Sequence, residues 1–572
     1  MLSKPRAEGV DAGFNLEFGR HKSAAPLEIR DARSMANTAP LLFIFPSSSA
    51  QETHSHSAPE KLGKVSFPIS CTPAVQDQFN WGVALLHSFA YTAAENAFQG
   101  VAELDPPCAM AHWGMAMAYF HQLWEPPIVP ATMSIAQKEI QRARQLGTGS
   151  ARERQFIQAL GFIYQDAATI PYRARALNYE RAMSNLASEN RKDVEAQVFY
   201  ALALLANASP ADKTHAKQKQ AADLLEPLNR TDPQHPGVPH YLIHAYDNAE
   251  LAPKGLAAAR AYSRIAPSAP HALHMPSHIF TRLGLWEDSI ASNLAAREAA
   301  HQQGDTGEEL HAMDYLVYAY LQSGRDQDAT QVIQQLKSMP NLNAVDFKIA
   351  YASTVMPVRC MVERGQWADA AGIVPPTGAP PHVVAIAVWA RGLGLARSGR
   401  AAAARAEIAG LRQIEEQLRT SGNNYWATQV GILTREVMAW SAQADKKPDE
   451  AAALMRAAAD EEDAIEKLPV TPGPVVPARE QLGSLLLEQN HPGPALKEFE
   501  TALANAPGRR GAMQGAAQLP DSLARSRLHS GVCRRPFLHL SGTWLRLSGP
   551  HSGGLCCRAS RRQKRQDGRY NK

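Results

Sequence analysis

The 572-residue sequence predicts an all-α chain built from repeated helix pairs. Three observations carry that expectation. Alanine is abundant and leucine, glutamate, glutamine and arginine are frequent, while valine, isoleucine and threonine form no alternating runs, a composition for helix and against sheet. No apolar run approaches the ~20 residues of a membrane span. The order small residue, alanine, aromatic, proline also returns at fixed offsets along the chain.

The two ends depart from this pattern. Residues 1–70 read as a disordered leader. Within it, the apolar LLFIF is preceded by Arg30 and Arg33 and followed by small residues near Ala50, so a secretory signal is expected near 36–50. A plain leader with no signal is the alternative, and Met35 is an alternative start. Residues 518–572 lose helical periodicity and hold ten Arg and two Lys against Asp521 and Asp567. This basic tail reads as a frameshifted or disordered end. It accounts for the positive balance, since 59 Lys and Arg stand against 55 Asp and Glu and the net charge is only +4. Charge therefore gives no reason to expect nucleic-acid binding.

Between the ends the marks can be taken in order. Gly82, Ala94, Phe98 and Pro106 define a first helix pair, and a second follows from about residue 109. Weaker helical pairs fill 151–233. Pro236 and Pro270 open two central units, with GLWEDS (284–289) as an inter-helix turn, and GRDQDA (324–329) marks the next turn. Weaker pairs fill 345–470. Gly483, Ala495, Phe499, Ala502 and Pro507 recover the marks, and residues 510–518 begin a capping helix. In packing terms, small residues let paired helices approach, the aromatic fills the groove between them, and proline stops the second helix.

These marks resemble the tetratricopeptide repeat, and the match covers most of 75–517 within an expected solenoid of 71–517. The resemblance implies a right-handed α-solenoid of helix–turn–helix units whose first helices line a concave groove. It further implies that positions 2, 5, 9 and 12 of each first helix face that groove. His240 and His274 then share position 5, His244 and His278 share position 9, His271 and His311 fall at position 2, Asp247 at 12, Asp314 at 5 and Tyr318 at 9. His87 and His121 share position 13 of the first two units, and Trp113 lies at position 5 of the second. Helical spacing agrees independently, since offsets of three, four and seven share one face. Cys71 and Cys108 each precede a first helix of neighbouring units, so a disulfide is expected, with two free thiols as the alternative. Export, with a periplasmic destination, fits such a bond and the signal, and a cytoplasmic location is the alternative.

Three readings of the histidines remain open. One is a protein, peptide or small ligand gripped in a His-lined groove, the usual work of this repeat family. Another is a transition-metal-binding protein or metal-dependent enzyme using the groove His/Asp cluster, with His240, His244, His274 and His278 as ligands, where imidazole and carboxylate donors without thiolate suit zinc, copper, iron or nickel. The third is structural hydrogen bonding. Motifs for a catalytic zinc helix, a nucleophile elbow or a phosphate loop do not occur in the sequence, so no catalytic residue is named.

Overall fold

The computed structural model describes residues 60–123, 130–147 and 149–519. The expected signal near 36–50 and all but the first two residues of the tail lie outside them. The described residues form helices and connecting segments with no β-strand.

Eleven helix pairs follow one another. The first five are α1 (Gln76–His87) with α2 (Tyr91–Leu104), α3 (Ala109–Ala118) with α4 (Pro130–Leu146), α5 (Ala151–Tyr164) with α6 (Tyr172–Glu189), α7 (Val194–Ala206) with α8 (Ala216–Thr231), and α9 (Gly237–Tyr246) with α10 (Ala252–Ile265). In the sixth the first helix is broken into α11 (Pro270–His274) and α12 (Pro276–Arg282), and α13 (Trp286–Gln303) completes the unit. Then come α14 (Thr306–Gln322) with α15 (Asp326–Ser338), α16 (Phe347–Glu363) with the short α17 (Trp367–Ala370), α18 (Pro381–Arg397) with α19 (Ala401–Thr420), α20 (Asn424–Ala444) with α21 (Pro448–Asp463), and α22 (Ala478–Glu488) with α23 (Pro492–Asn505). A last helix, α24 (Arg510–Ala517), covers the end, as the repeat pattern predicts.

The recurring sequence marks now have a physical cause. Phe98 of α2 lies against Gly82 of α1 and Gly114 of α3, where an added Cβ would come within 2.8 Å and 2.4 Å of the ring. Phe499 of α23 lies in the same way against Gly483 and Gly515, at 2.6 Å and 2.2 Å. The aromatic thus locks its own unit to the next one, and the small residues are those that its ring would otherwise strike. Truncating either ring to alanine would leave a cavity costing about 3–5 kcal/mol. Asp193, Asp305 and Asp346 cap α7, α14 and α16 by accepting the N–H of Ala196, Glu308 and Ile349.

Residues 60–70, expected in the leader, instead belong to the solenoid. Leu62 and Phe67 are buried, and the Phe67 ring meets Phe79, Trp113 and Phe156. Backbone bonds from Lys64 to Gln234 and from Ser268 to Lys61 stitch this segment across the central units. The other end also folds back. Pro507 O would lie 2.4 Å from a Cβ on Gly284, and Arg510 pairs with Asp326 at 2.6 Å. The all-α solenoid therefore closes on itself, with its last unit against its sixth and seventh.

Candidate functional site

Six histidines from three successive first helices meet inside the solenoid. His240 and His244 come from α9, whose residues are all buried. His271 and His274 come from α11, His278 from α12 and His311 from α14. Pro276, which has no N–H to give, breaks the middle helix after Met275.

The rings fall into two trios. One nitrogen from each of His274, His278 and His311 lies within 4.8 Å of the others, and the same holds for His240, His244 and His271. In the first trio the Nε2 atoms of His274 and His278 are 3.0 Å apart. The other nitrogen of each ring is already committed. His274 Nδ1 donates to Asn293 Oδ1 at 2.6 Å, and the Asn293 amide is oriented by its own Nδ2 donating to Ser289 O. His278 Nδ1 donates to Asp247 Oδ2 at 2.9 Å. Both Nδ1 atoms carry their protons, so two neutral rings bring two bare lone pairs face to face. A shared proton would relieve this by making one ring an imidazolium. Burial opposes that, holding His274 well below the usual range and His278 down at about 4.

Asp247 organises this region. Besides His278 it accepts from Arg282 Nε at 2.9 Å and Lys467 Nζ at 2.7 Å. Burial works against its charge, but Lys467, Arg282 and the His278 hydrogen bond hold its carboxyl well below the usual range. Burial lowers Lys467 to about 8. Glu308, fully buried, accepts from His271 Nδ1 at 3.1 Å and from Lys348 at 2.7 Å. Tyr315 places its hydroxyl 3.3 Å from His278 Nε2.

The resemblance implies an open groove at these positions, but the structure buries them. Five of the six histidines are no more than 2% exposed, and His244 is 8% exposed. Phe89 covers one side, its ring 4.4, 5.9 and 5.1 Å from those of His240, His244 and His271, and the connection between α21 and α22, residues 464–477, covers the Asp247 and Tyr315 side as a strap. Lys467 reaches Asp247, Pro469 O accepts from Tyr315 OH at 3.3 Å, and Pro474 O and Gly473 O accept from Arg359 at 3.0 and 3.4 Å. Asp314 faces Arg359 at 3.4 Å, yet burial raises its carboxyl pKa despite that partner. Tyr318 lies under the guanidinium groups of Arg359 and Arg509.

The remaining expected residues are elsewhere. His87 belongs to a separate buried network. Its Nε2 donates to Glu195 Oε2 at 2.8 Å and its Nδ1 accepts from Tyr241 OH at 3.0 Å. His235 completes that network, with Nε2 donating to Glu195 Oε1 at 2.9 Å and Nδ1 accepting from Gly237 N. Trp113 is core, packed against Phe67, Phe156 and Phe199. His121 stacks on Tyr91 and belongs to neither histidine trio. Cys71 and Cys108 are disulfide-bonded, and Cys360 is buried.

Sequence reasoning missed Asn293, Glu308, Tyr315, Arg282 and Lys467 around the cluster, and Glu195 and His235 around His87. Glu308 and Tyr315 lie three before and four after His311, so helical spacing alone could have found them. Lys467 is 220 residues from its partner Asp247 and gave no local signal.

Paired antiparallel helices, a small residue under each aromatic mark and a capping helix are all present. The fold is tetratricopeptide-like. Known structures similar to the chain include the P58(IPK) TPR domain, at 12% identity over 81% of this chain and 100% of that one, with a TM-score of 0.22. The human IFIT1 dimer with m7Gppp-AAAA is similar at 13% identity over 69% of this chain and 89% of that one, TM-score 0.30. The Cut9–Hcn1 hetero-tetramer of APC/C is similar at 10% identity over 78% and 90%, TM-score 0.27. No protein-family model and no curated protein matches the chain. No helix among the described residues is long and apolar enough to cross a membrane.

Proposed function

We propose that this tetratricopeptide-like chain binds a divalent transition-metal ion through His274, His278 and His311. The observation that carries the reading is the 3.0 Å approach of two Nε2 atoms whose rings both donate from Nδ1. A cation between them is the species that turns two opposed lone pairs into ligands. Nitrogens about 2.0–2.1 Å from a tetrahedral ion lie about 3.3 Å apart, close to the spacing here. Donation from Nδ1 to Asn293 and Asp247 is the outer-shell arrangement that fixes ring orientation and raises ligand basicity. Imidazole donors suit zinc, copper, iron or nickel, and three of them leave a position open for water or a further ligand. The test is metal content after tag-free purification, followed by zinc titration of chelated protein. Tight zinc binding in wild type that falls by one ion in His274→Ala and His278→Ala but not in His121→Ala supports the reading. Equal binding in all four chains would refute it.

A protein or peptide partner is the second reading, favoured by the strap. Residues 468–477, LPVTPGPVVP, are proline-rich, run through turns and bends with no helix or strand, and bond Tyr315 and Arg359 through backbone carbonyls. A synthetic peptide of that sequence should bind a chain whose strap is cleaved at an inserted protease site, and no binding there would remove this reading. The Cys71–Cys108 bond supports an exported location. Mass spectrometry of unreduced protein from its own cells tests that, and two free thiols would count against it.

A further inference from the structure

We propose that His240, His244 and His271 form a second metal site beside the first, so that the chain holds two ions. This rests on the reading of the first trio as a metal site and extends it with separate observations. His240 Nδ1 donates to the backbone O of His87 at 2.6 Å, so its Nε2 presents a lone pair. That lone pair faces His244 Nε2 at 3.2 Å. His244 Nδ1 is buried and makes no hydrogen bond among the described residues. Neither tautomer of His244 satisfies the pair. With the proton on Nε2, His240 is served but a bare Nδ1 is left buried. With the proton on Nδ1, a buried N–H goes without an acceptor and two lone pairs oppose each other. An ion bound at the Nε2 atoms removes the lone-pair conflict and makes both rings ligands. His271, tied by Nδ1 to Glu308, brings the third nitrogen within 4.8 Å of the other two.

The other two groupings of metal-ligand type among the described residues are satisfied without an ion. In His87, Glu195 and His235, both Nε2 protons go to the carboxylate and both Nδ1 atoms accept a proton from a neighbour. In Cys71, Asp105 and Cys108, the sulfurs are bonded to each other and Asp105 accepts from Thr72 N. The two histidine trios adjoin. His244 and His278 rings are 5.9 Å apart, and His271 and His274 rings 6.0 Å. Glu308 and Asp247 supply carboxylates to one histidine of each trio. The ligands implied are therefore two first-row divalent ions with imidazole nitrogen donors.

Zinc titration of chelated, tag-free full chain, read by equilibrium dialysis with elemental analysis, tests this. Two zinc ions per wild-type chain are expected, one in His244→Ala, one in His278→Ala and none in the double variant. Wild type alone decides if a variant fails to fold. One ion per wild-type chain, kept in His244→Ala and lost in His278→Ala, overturns the second site and leaves the first. One ion lost in both single variants means a single shared centre and also overturns the pair. No tight zinc in wild type overturns both sites.

Discussion

The His87–Glu195–His235 network and the His274–His278–His311 trio are built from the same residue type at the same depth, and they differ in their protons. In the first, every ring N–H has an acceptor and every bare nitrogen a donor, with Glu195 as the shared anion. In the second, two rings spend their protons outward and turn their lone pairs on each other. Burial and a count of histidines do not separate structure from ligand set. The bookkeeping of donors and acceptors does, because an unmatched polar atom in a dry interior costs about 1–3 kcal/mol.

Four experiments would break or sharpen this contrast. The largest effect is expected at the closed network. Glu195→Gln puts an amide N–H where a carboxylate received a proton, so stability should fall by about 3–5 kcal/mol in urea unfolding, with or without zinc. A zinc-dependent loss there would erase the distinction. At the open trio, zinc at a thousandfold excess over its dissociation constant should contribute about 4 kcal/mol of stability in wild type, and His274→Ala should lack that contribution and show a smaller rise than wild type, read by thermal melts. An equal rise in both chains would place the ion elsewhere.

Acid should act on the metal-free chain in the next measure. His87, His240, His244, His274 and His278 all lie below the imidazole range when folded because burial disfavours their charge. Folding is therefore fully supported above pH 6.5, and stability is lost as pH falls, because the unfolded chain takes up protons first. For His278 the window runs from 6.5 down to about 4, at about 1.4 kcal/mol per pH unit. Urea midpoints from pH 7.5 to 5 should fall steeply, and a flat profile would contradict neutral buried rings. The smallest effect belongs to the strap. Lys467→Ala removes one of three side chains on Asp247, which keeps Arg282 and His278, so about 1–3 kcal/mol should be lost along with weaker zinc binding. Unchanged zinc affinity would separate strap from site.

Much of this was legible in the chain itself. Gly82 and Phe98, or Gly483 and Phe499, are spaced by the contact they make, so the repeat could be read without coordinates. The shared register of His240 with His274 and of His244 with His278 likewise placed four rings on equivalent faces. The split into two trios was not legible. It depends on His271 and His311 turning toward different neighbours and on Pro276 breaking the middle helix. Register also cannot say whether a groove stays open. Phe89 and the strap, residues 464–477, cover it, and Lys467 meets Asp247 by the closure of the whole solenoid rather than by local pattern. The place of residues 60–70 in the solenoid was hidden for a similar reason, since Phe67 sits in a non-helical segment with no periodicity to mark it.

The central claim, that the buried histidines are ligands rather than packing, is tested most directly by zinc K-edge X-ray absorption on the zinc-loaded full chain. A first shell of imidazole nitrogens at about 2.0–2.1 Å, with the outer-ring scattering of at least three histidines and no sulfur, is the predicted result. A shell dominated by water and carboxylate oxygen, or one containing Cys360 sulfur, would contradict it.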